Sequence, residues 1–460
     1  MPECIVVPVG QCGNQIAARF WDLALQEHVH ASAKGDPTRS DIALETFFSR
    51  SASTRKAKHG LRARAVMIDM EEGVIGQILK SPIRSLFDDG QVVSSNSGSG
   101  NNWAVGYSVY GQEYFEPISE AIRRQAELCD SLQSFFQITS LGGGTGSGLG
   151  SRVGEILCDD YPRVYKFATA ICPSDDDDVV TSPYNTMLSL GRLIQSADCV
   201  LPVENQALLD ICAKVASGLK RENPIEFSRP VASTVTSVVD NGAKAYGGLC
   251  TGSRKKAPFD EMNNLVANLI INMTSSMRFE GSLNVDINDI VTNLVPFPRR
   301  KFLISSMTPL FTLADVNVPS RRLDQMFTDA FSKDCQLIKA DPKSSTYLAC
   351  ALMIRGQVEV SDIRRNVERA RSWLKFSDWN LEGWKTGLCS VPPIGHNHSL
   401  LALANNACIH ESLDKMRGRF VKLYKRKANL HHYLNIIEQQ EFSNALESVK
   451  KLIQEYKSDA

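Results

Sequence analysis

The chain has 460 residues, more than one ordinary hydrophobic core organises, so two or three domains are expected. Its 51 Lys and Arg balance 51 Asp and Glu, which removes any net-charge argument for nucleic acid or membrane as partner, and 43% hydrophobic with 22% charged residues is ordinary for a soluble globular protein. The 12 Cys include no C-x-x-C pair and no His at zinc-finger spacing, so reduced thiols are expected and structural zinc is not.

Residues 1–10 lack a basic leader and read as a strand, not a signal peptide, and no apolar run approaches the roughly 18 residues of a membrane span. A cytoplasmic protein follows. Residues 5–9 are β-rich and run into Gly10, Gln11, Cys12, Gly13 and Asn14, after which Ile16, Phe20, Leu23 and Ala24 recur at helical spacing. This predicts a strand, a glycine loop and a helix, with Gln11 and Cys12 lining phosphates; Cys12 has no base near it in sequence to make it a nucleophile. Residues 36–60 are polar and without period, and predict a long exposed loop. Residues 65–68 predict a buried strand that delivers Asp69, Glu71 and Glu72 at its carboxyl end. Carboxylates beside a phosphate repel it unless a divalent cation lies between, so Glu71 and Asp69 are candidate Mg²⁺ ligands; a solvated acidic turn is the alternative.

Residues 97–102, S-G-S-G-N-N, suit contact with a terminal phosphate, through Gly100 and Asn101, or a Schellman-type turn. Residues 112–129 look helical. The densest signal is S-L-G-G-G-T-G-S-G-L-G at 140–150, entered from apolar Phe135, Phe136 and Ile138 and left through Leu149, Val153, Ile156 and Leu157 at helical period. Glycine lets backbone N–H groups approach a ligand, and a helix starting near Thr145 adds unpaired N–H groups and a positive dipole end, which together shape the loop for phosphate. No Lys-Ser or Lys-Thr follows its last Gly, so it is not the common P-loop. Ser140, Gly143, Gly144, Thr145 and Gly146 are its candidate binding residues.

Residues 166–172 predict a further strand that enters four consecutive acids, of which Asp178 is placed to accept from a ribose hydroxyl if the loop is not simply solvated. Residues 199–203 predict a strand ending at Glu204 and Asn205, and 214–258 read as an irregular insertion. A broad apolar face predicts a core helix at 260–277, whose first turn can cap a base pocket through Phe259 and Asn263. From Asn293 strands and helices continue without a glycine-rich loop, with strands expected at 302–307, 347–354 and 388–391 and amphipathic helices at 413–433 and 442–456. Two strand–glycine loop–helix units in one chain point to an α/β fold with a parallel, Rossmann-like sheet whose carboxyl ends gather around a nucleotide.

The set G-Q-C-G-N-Q at 10–15, G-S-G-N-N-W at 98–103, G-G-G-T-G-S-G at 142–148, R-F-E-G-S-L-N at 278–284 and N-L-V-P-F-P at 293–298 resembles the tubulin family, in the family's order and over nearly the whole chain. The stretches at 20–28, 69–74 and 175–178 look most like the family's epsilon class. The resemblance implies a GTP-binding domain at 1–259 with an insertion at about 214–258, a central helix at 260–277, a smaller intermediate α/β domain at 278–409, and a carboxyl-terminal helical hairpin at 410–460. It implies GTP or GDP with Mg²⁺ as cofactors, Asn205 and Asn263 reading guanine, and Phe259 stacking where tubulins usually have Tyr. It also implies shared chemistry, with Asp289 matching the acid that positions water on a neighbour's γ-phosphate. Asp286 and Asp289, three apart, are expected on one face of one helix. The implied partners are other tubulins in longitudinal contact, whether alpha-tubulin, delta-tubulin or a second copy, together with centriolar proteins, and the implied location is the cytoskeleton at centrosome, centriole or basal body. Ser182 replaces the family's Glu in the ribose loop, and residues 308–322 do not match the usual lateral-contact loop, so a specialised role fits better than bulk lattice building. An alternative is a GTP-locked structural or capping tubulin that does not hydrolyse. An unrelated nucleotide enzyme would have to rely on His396 and His398, which read as part of a polar loop after Pro392 and Pro393.

Overall fold

The structure, a computed structural model, describes residues 2–34, 43–50, 60–174, 177–221, 259–310 and 322–458. The insertion beyond residue 221 and the core of the expected lateral loop, 311–321, lie outside these.

Strand β1 (Glu3–Val9) is buried along its whole length, which is why E-C-I-V-V-P-V reads as a run and not as an alternation. A parallel strand covered on both faces needs apolar side chains on both. Helix α1 (Gly10–Lys34) begins at Gly10 itself, so the expected loop is absorbed into the helix start. A short hairpin of β2 (Phe48–Arg50) and β3 (Leu61–Ala63) follows. Of the exposed loop expected at 36–60, residues 36–42 and 51–59 lie outside the described residues, and at 43–48 the expectation is corrected, because Ala43, Phe47 and Phe48 are buried and Phe47 lies edge-on to Phe20 at 5.1 Å between ring centroids. Then come β4 (Met67–Asp69), α2 (Glu72–Lys80), β5 (Val92–Ser94), α3 (Phe115–Glu127), β6 (Leu132–Ser140), α4 (Gly150–Asp160), β7 (Tyr165–Cys172), α5 (Ser182–Ser196), β8 (Cys199–Glu204) and α6 (Asn205–Arg221).

The first sheet has six parallel strands in the order β5-β4-β1-β6-β7-β8. The chain therefore builds outward from β1 in one direction, returns, and builds outward in the other, which makes the gap between β1 and β6 the topological switch point. Register places the strand ends level there: Val9 pairs with Ile68 and with Thr139, and Ser140 with Ile171. The residues that follow these ends, at 10, 70, 141 and 173, emerge side by side.

Helix α6 runs through Arg221, so the irregular connection expected from 214 starts at least eight residues late, after Arg221. Helix α7 (Asp260–Met273) is buried on nearly every side, from Met262 to Met273, and packs against α1 and α6. The single helix expected at 260–277 is broken: the Thr274 hydroxyl donates to the Ile270 carbonyl at 2.9 Å, competing with the backbone ladder, and a short turn α8 (Ser275–Arg278) follows. Helix α9 (Ile287–Leu294) leads to the second sheet, β11-β10-β12-β9, made of β9 (Ile304–Thr308), β10 (Tyr347–Arg355), β11 (Trp384–Cys389) and β12 (Ser399–Asn406). Between β9 and β10 lies α10 (Leu323–Ala330), and between β10 and β11 lies α11 (Val360–Arg371). Strand β12 was not expected, and β11 begins four residues before the expected 388. The two sheets are joined through β8, whose Val200 exchanges backbone hydrogen bonds with Lys301 and Leu303 at 2.9 and 2.8 Å. A buried ion cluster adds a second link, with Glu27 of α1 between Arg278 and Arg355 at 2.8 and 2.6 Å.

Helix α12 (Ile409–Lys425) ends where Lys427 and Asn429 take left-handed backbone, eight residues before the expected end. A short α13 (His431–Leu434) and α14 (Gln439–Lys457) complete the chain. These helices seal α5 through an aromatic cluster in which Tyr184 packs against Phe420, Tyr433 and Phe442 at 5.5–5.7 Å.

Candidate nucleotide site

Four glycine-bearing or acidic segments meet at the switch point, and their glycines are what let them touch. Gly10 has φ +77°, and a Cβ on it would lie 2.9 Å from the Gly146 amide N, so the first turn of α1 abuts the 140–150 loop. A Cβ on Gly144 would lie 2.5 Å from the Asn102 amide N, so the same loop abuts the 98–102 loop from the other side. Gly143 differs, since the nearest atom to a Cβ there is Asn101 Oδ1 at 4.0 Å. A side chain there has room that Gly10 and Gly144 lack.

The packed loops are held by two buried amides. Asn14 is fully buried and its Nδ2 donates to Gly10 O at 2.9 Å and Ile68 O at 3.0 Å, tying the start of α1 to β4. Asn185 on α5 is fully buried and donates to Asn101 O and Gly142 O, both at 2.8 Å, while its Oδ1 accepts from Trp103 N at 2.9 Å. Ser99 Oγ and Thr145 Oγ1 lie 2.9 Å apart, a further bond between the two loops. The expected helix start near Thr145 is instead a wide π-helical turn, Thr145–Leu149, from which α4 continues. Such turns occur often at functional sites because they reposition side chains within a helix.

Of the predicted phosphate residues, Gln11 is exposed at the mouth, Cys12 and Ser140 are half-buried, and Gly100 and Asn101 are exposed on backbone with positive φ. Burial pushes the Cys12 thiol up to about 12, so it is a neutral group at physiological pH and not a thiolate nucleophile. Asp69 is buried with Oδ2 unpartnered, whereas Glu71 beside it is exposed. Burial and then the charge of Glu71 push the Asp69 carboxyl up to about 7. One orphaned carboxylate oxygen next to a second, accessible carboxylate fits a divalent cation of the Mg²⁺ kind, which takes one or two carboxylates and draws its other ligands from water and phosphate. Among the described residues no cluster of three or more His, Cys, Asp or Glu forms an all-protein metal cage.

At the other end of the cleft, Asn205 opens α6 directly after β8 and Asn263 is buried in the first turn of α7, two helices that pack together. Phe259 precedes α7 with φ +70° and is 61% exposed, leaving its ring open for stacking. Asp178 is exposed at the rim. Asp289 is not brought to this cleft. It sits on α9, and Asp286 is not beside it on the helix face as expected but caps the helix: Asp286 Oδ1 accepts from Asp289 N at 2.7 Å, and Asp289 Oδ2 from Asp286 N at 3.4 Å. Lys385 Nζ lies 3.0 Å from Asp289 Oδ1, whose side chain remains 36% exposed. His396 and His398 lie between β11 and β12 of the second sheet, and burial lowers His396 to about 4. Sequence reasoning gave no role to Asn14, which stands inside a quoted motif, and missed Asn185, for which no local signal exists.

The family model for the GTPase domain of the Tubulin/FtsZ family matches residues 3–213, and that for the Tubulin C-terminal domain matches residues 298–417. Across 99% of its length the chain is 53% identical to the Tubulin epsilon chain of Mus musculus and to that of Homo sapiens, covering 96% of each. It is 31% identical to the Tubulin alpha-1 chain of Saccharomyces cerevisiae, over 99% of this chain and 97% of that one.

Proposed function

The chain belongs to the tubulin family and is a GTP-binding cytoskeletal protein of that type, and from this premise we propose that it holds GTP at the switch point and relies on a neighbouring subunit to complete hydrolysis. The observation that supports the reading is the set of level strand ends, which puts the loops at Gly10, Ser140 and Asn205 and the acidic turn at Asp69 along one edge of the sheet. In this reading Gln11, Cys12, Gly100, Asn101, Ser140, Gly143, Gly144, Thr145 and Gly146 hold the phosphates. Asp178 takes the ribose, Asn205 and Asn263 read guanine, and Phe259 stacks on the base. Asp69 and Glu71 would hold Mg²⁺, which offsets phosphate charge when bound.

Asp289 supplies the acid in trans. Its Oδ2 makes only a long capping bond, and the surface next to α9 carries Phe297 and Trp379, 40% and 54% exposed and edge-on at 5.5 Å, with Arg300 over the Phe297 ring. Exposed aromatics with Arg are the composition of a protein-binding surface. The neighbour is another tubulin: alpha-tubulin, delta-tubulin or a second copy. We assign the work to centrioles and basal bodies, with centriolar proteins as further partners; the similarity to epsilon chains supports this reading. One observation favours a second reading, a GTP-locked structural tubulin: Lys385 already neutralises Asp289.

Asp289→Asn separates the two. The amide oxygen keeps the capping bond and the charge is lost, so assembly-stimulated GTP hydrolysis should fall by on the order of a hundredfold with nucleotide binding unchanged. Unchanged hydrolysis would remove Asp289 from the chemistry.

A further inference from the structure

We infer that Asn185 and Tyr433 wire the carboxyl-terminal helices to the terminal-phosphate loops, so that the α12–α14 connection senses whether GTP or GDP is bound. The Tyr433 hydroxyl donates to Asn185 Oδ1 at 2.6 Å. The same buried amide binds Asn101 O, Gly142 O and Trp103 N, so one side chain holds both phosphate loops and one residue of the outer layer. One more bond joins the loops to this segment, Asn102 Nδ2 donating to His432 O at 3.0 Å, whereas the Tyr184 hydroxyl donates to Ala428 O at 2.7 Å and bonds to neither loop. A buried amide with both ends engaged cannot follow a moving loop without releasing another partner. Asn101, at φ +53° and exposed beside Gly143, is the loop residue most directly placed to move when a terminal phosphate enters or leaves. Its carbonyl is also held by the Thr181 hydroxyl at 3.0 Å, so motion there has to pass into α5 and, through Asn185, into Tyr433.

The outer end of this wire is accessible. Leu434 and Ile436 are 42% and 36% exposed, and Lys425, Arg426 and Lys427 are exposed beside them. By linkage, a protein partner seated on this connection changes the GTP-over-GDP preference by the same factor that the nucleotide changes its own affinity. Asn185 and Tyr433 are positioning residues in this scheme and touch no reacting atom.

The inference rests on the proposed reading of the 98–102 and 140–146 loops as phosphate contacts, and the test keeps the two apart. The ratio of GTP to GDP affinity is measured for the unaltered protein, Tyr433→Phe and Tyr184→Phe, together with amide hydrogen exchange over residues 428–437 in each nucleotide. Tyr433→Phe keeps the ring and removes the hydroxyl that reaches Asn185 and Thr181, the two side chains that hold the Asn101 carbonyl; the ratio should change by about fivefold or more, and the nucleotide-dependent exchange difference should disappear. Tyr184→Phe removes a comparable hydroxyl that does not reach the phosphate loops, and should leave the ratio in place. An unchanged ratio and exchange difference in Tyr433→Phe, or an equal change in Tyr184→Phe, overturns the wire. Failure of the unaltered protein to bind either nucleotide overturns the underlying reading as well.

Discussion

Asp69 stays protonated well above the usual carboxylate range because it is buried with one oxygen unpartnered and Glu71 adjacent. Its carboxyl rises from 3.8 to about 7 on folding, so between those values the folded chain holds a proton that the unfolded chain has lost. Stability of the ligand-free protein therefore falls as pH rises through that window, and the loss is complete above about 7. Asp69→Asn, which is isosteric and neutral, should raise the melting temperature of ligand-free protein at pH 8 and leave it nearly unchanged at pH 4, as differential scanning calorimetry would read. In the unaltered protein, GTP-bound Mg²⁺ should bind more tightly as pH rises toward 7 and release a proton on binding; pH-independent affinity would take Asp69 out of the cation site. The place of Asp69 and Glu71 at the end of a buried strand was legible in the sequence, and their proposed cation role was argued from acids lying beside a glycine loop. Asn14 and Asn185 were not legible, because a buried amide matters only through the carbonyls that distant strands bring to it, Ile68 for the one and Asn101 and Gly142 for the other.

Gly144 has no room for a side chain and Gly143 has, and this gives an opposed pair of substitutions. Gly144→Ala forces a methyl against the Asn102 backbone, so the loops must separate; a loss of about 1–3 kcal/mol of stability is expected along with loss of nucleotide binding. Gly143→Ala meets nothing nearer than 4.0 Å, so the fold should keep its melting temperature within about 0.5 kcal/mol of stability while GTP affinity drops, by equilibrium dialysis. Equal effects of the two on stability would contradict this division of the loop. Strands that run into glycines were readable because an apolar run followed by Gly has few other meanings. Strand β12 escaped because S-L-L-A-L-A-N-N is buried on both faces and so lacks the alternation that marks a strand. Residues 43–48 escaped for the opposite reason: Ala43, Phe47 and Phe48 are too few in a polar stretch to set a period, and only their packing on α1 shows their role.

At the level of the molecule, the cleft and Asp289 lie on different parts of one chain, the first at the carboxyl ends of the parallel sheet and the second on α9 before the second sheet. Between them stand the buried helix α7 and the Glu27 cluster with Arg278 and Arg355, which join the two sheets. The proposed division of labour comes from the family resemblance, since no local pattern says that an acid acts on another subunit. What the sequence did not offer is the competing engagement of the Asp289 carboxylate by Lys385, which exists only once α9 and β11 are packed. The most direct measurement is turnover per chain of radiolabelled GTP, preloaded on this protein, across a concentration series of the protein alone and with alpha- or delta-tubulin added. Completion of the site by a neighbour predicts intact GTP in dilute protein and turnover that rises with concentration in one of the three series. Turnover that is the same per chain at every concentration, or GTP that remains intact in all three, would contradict it.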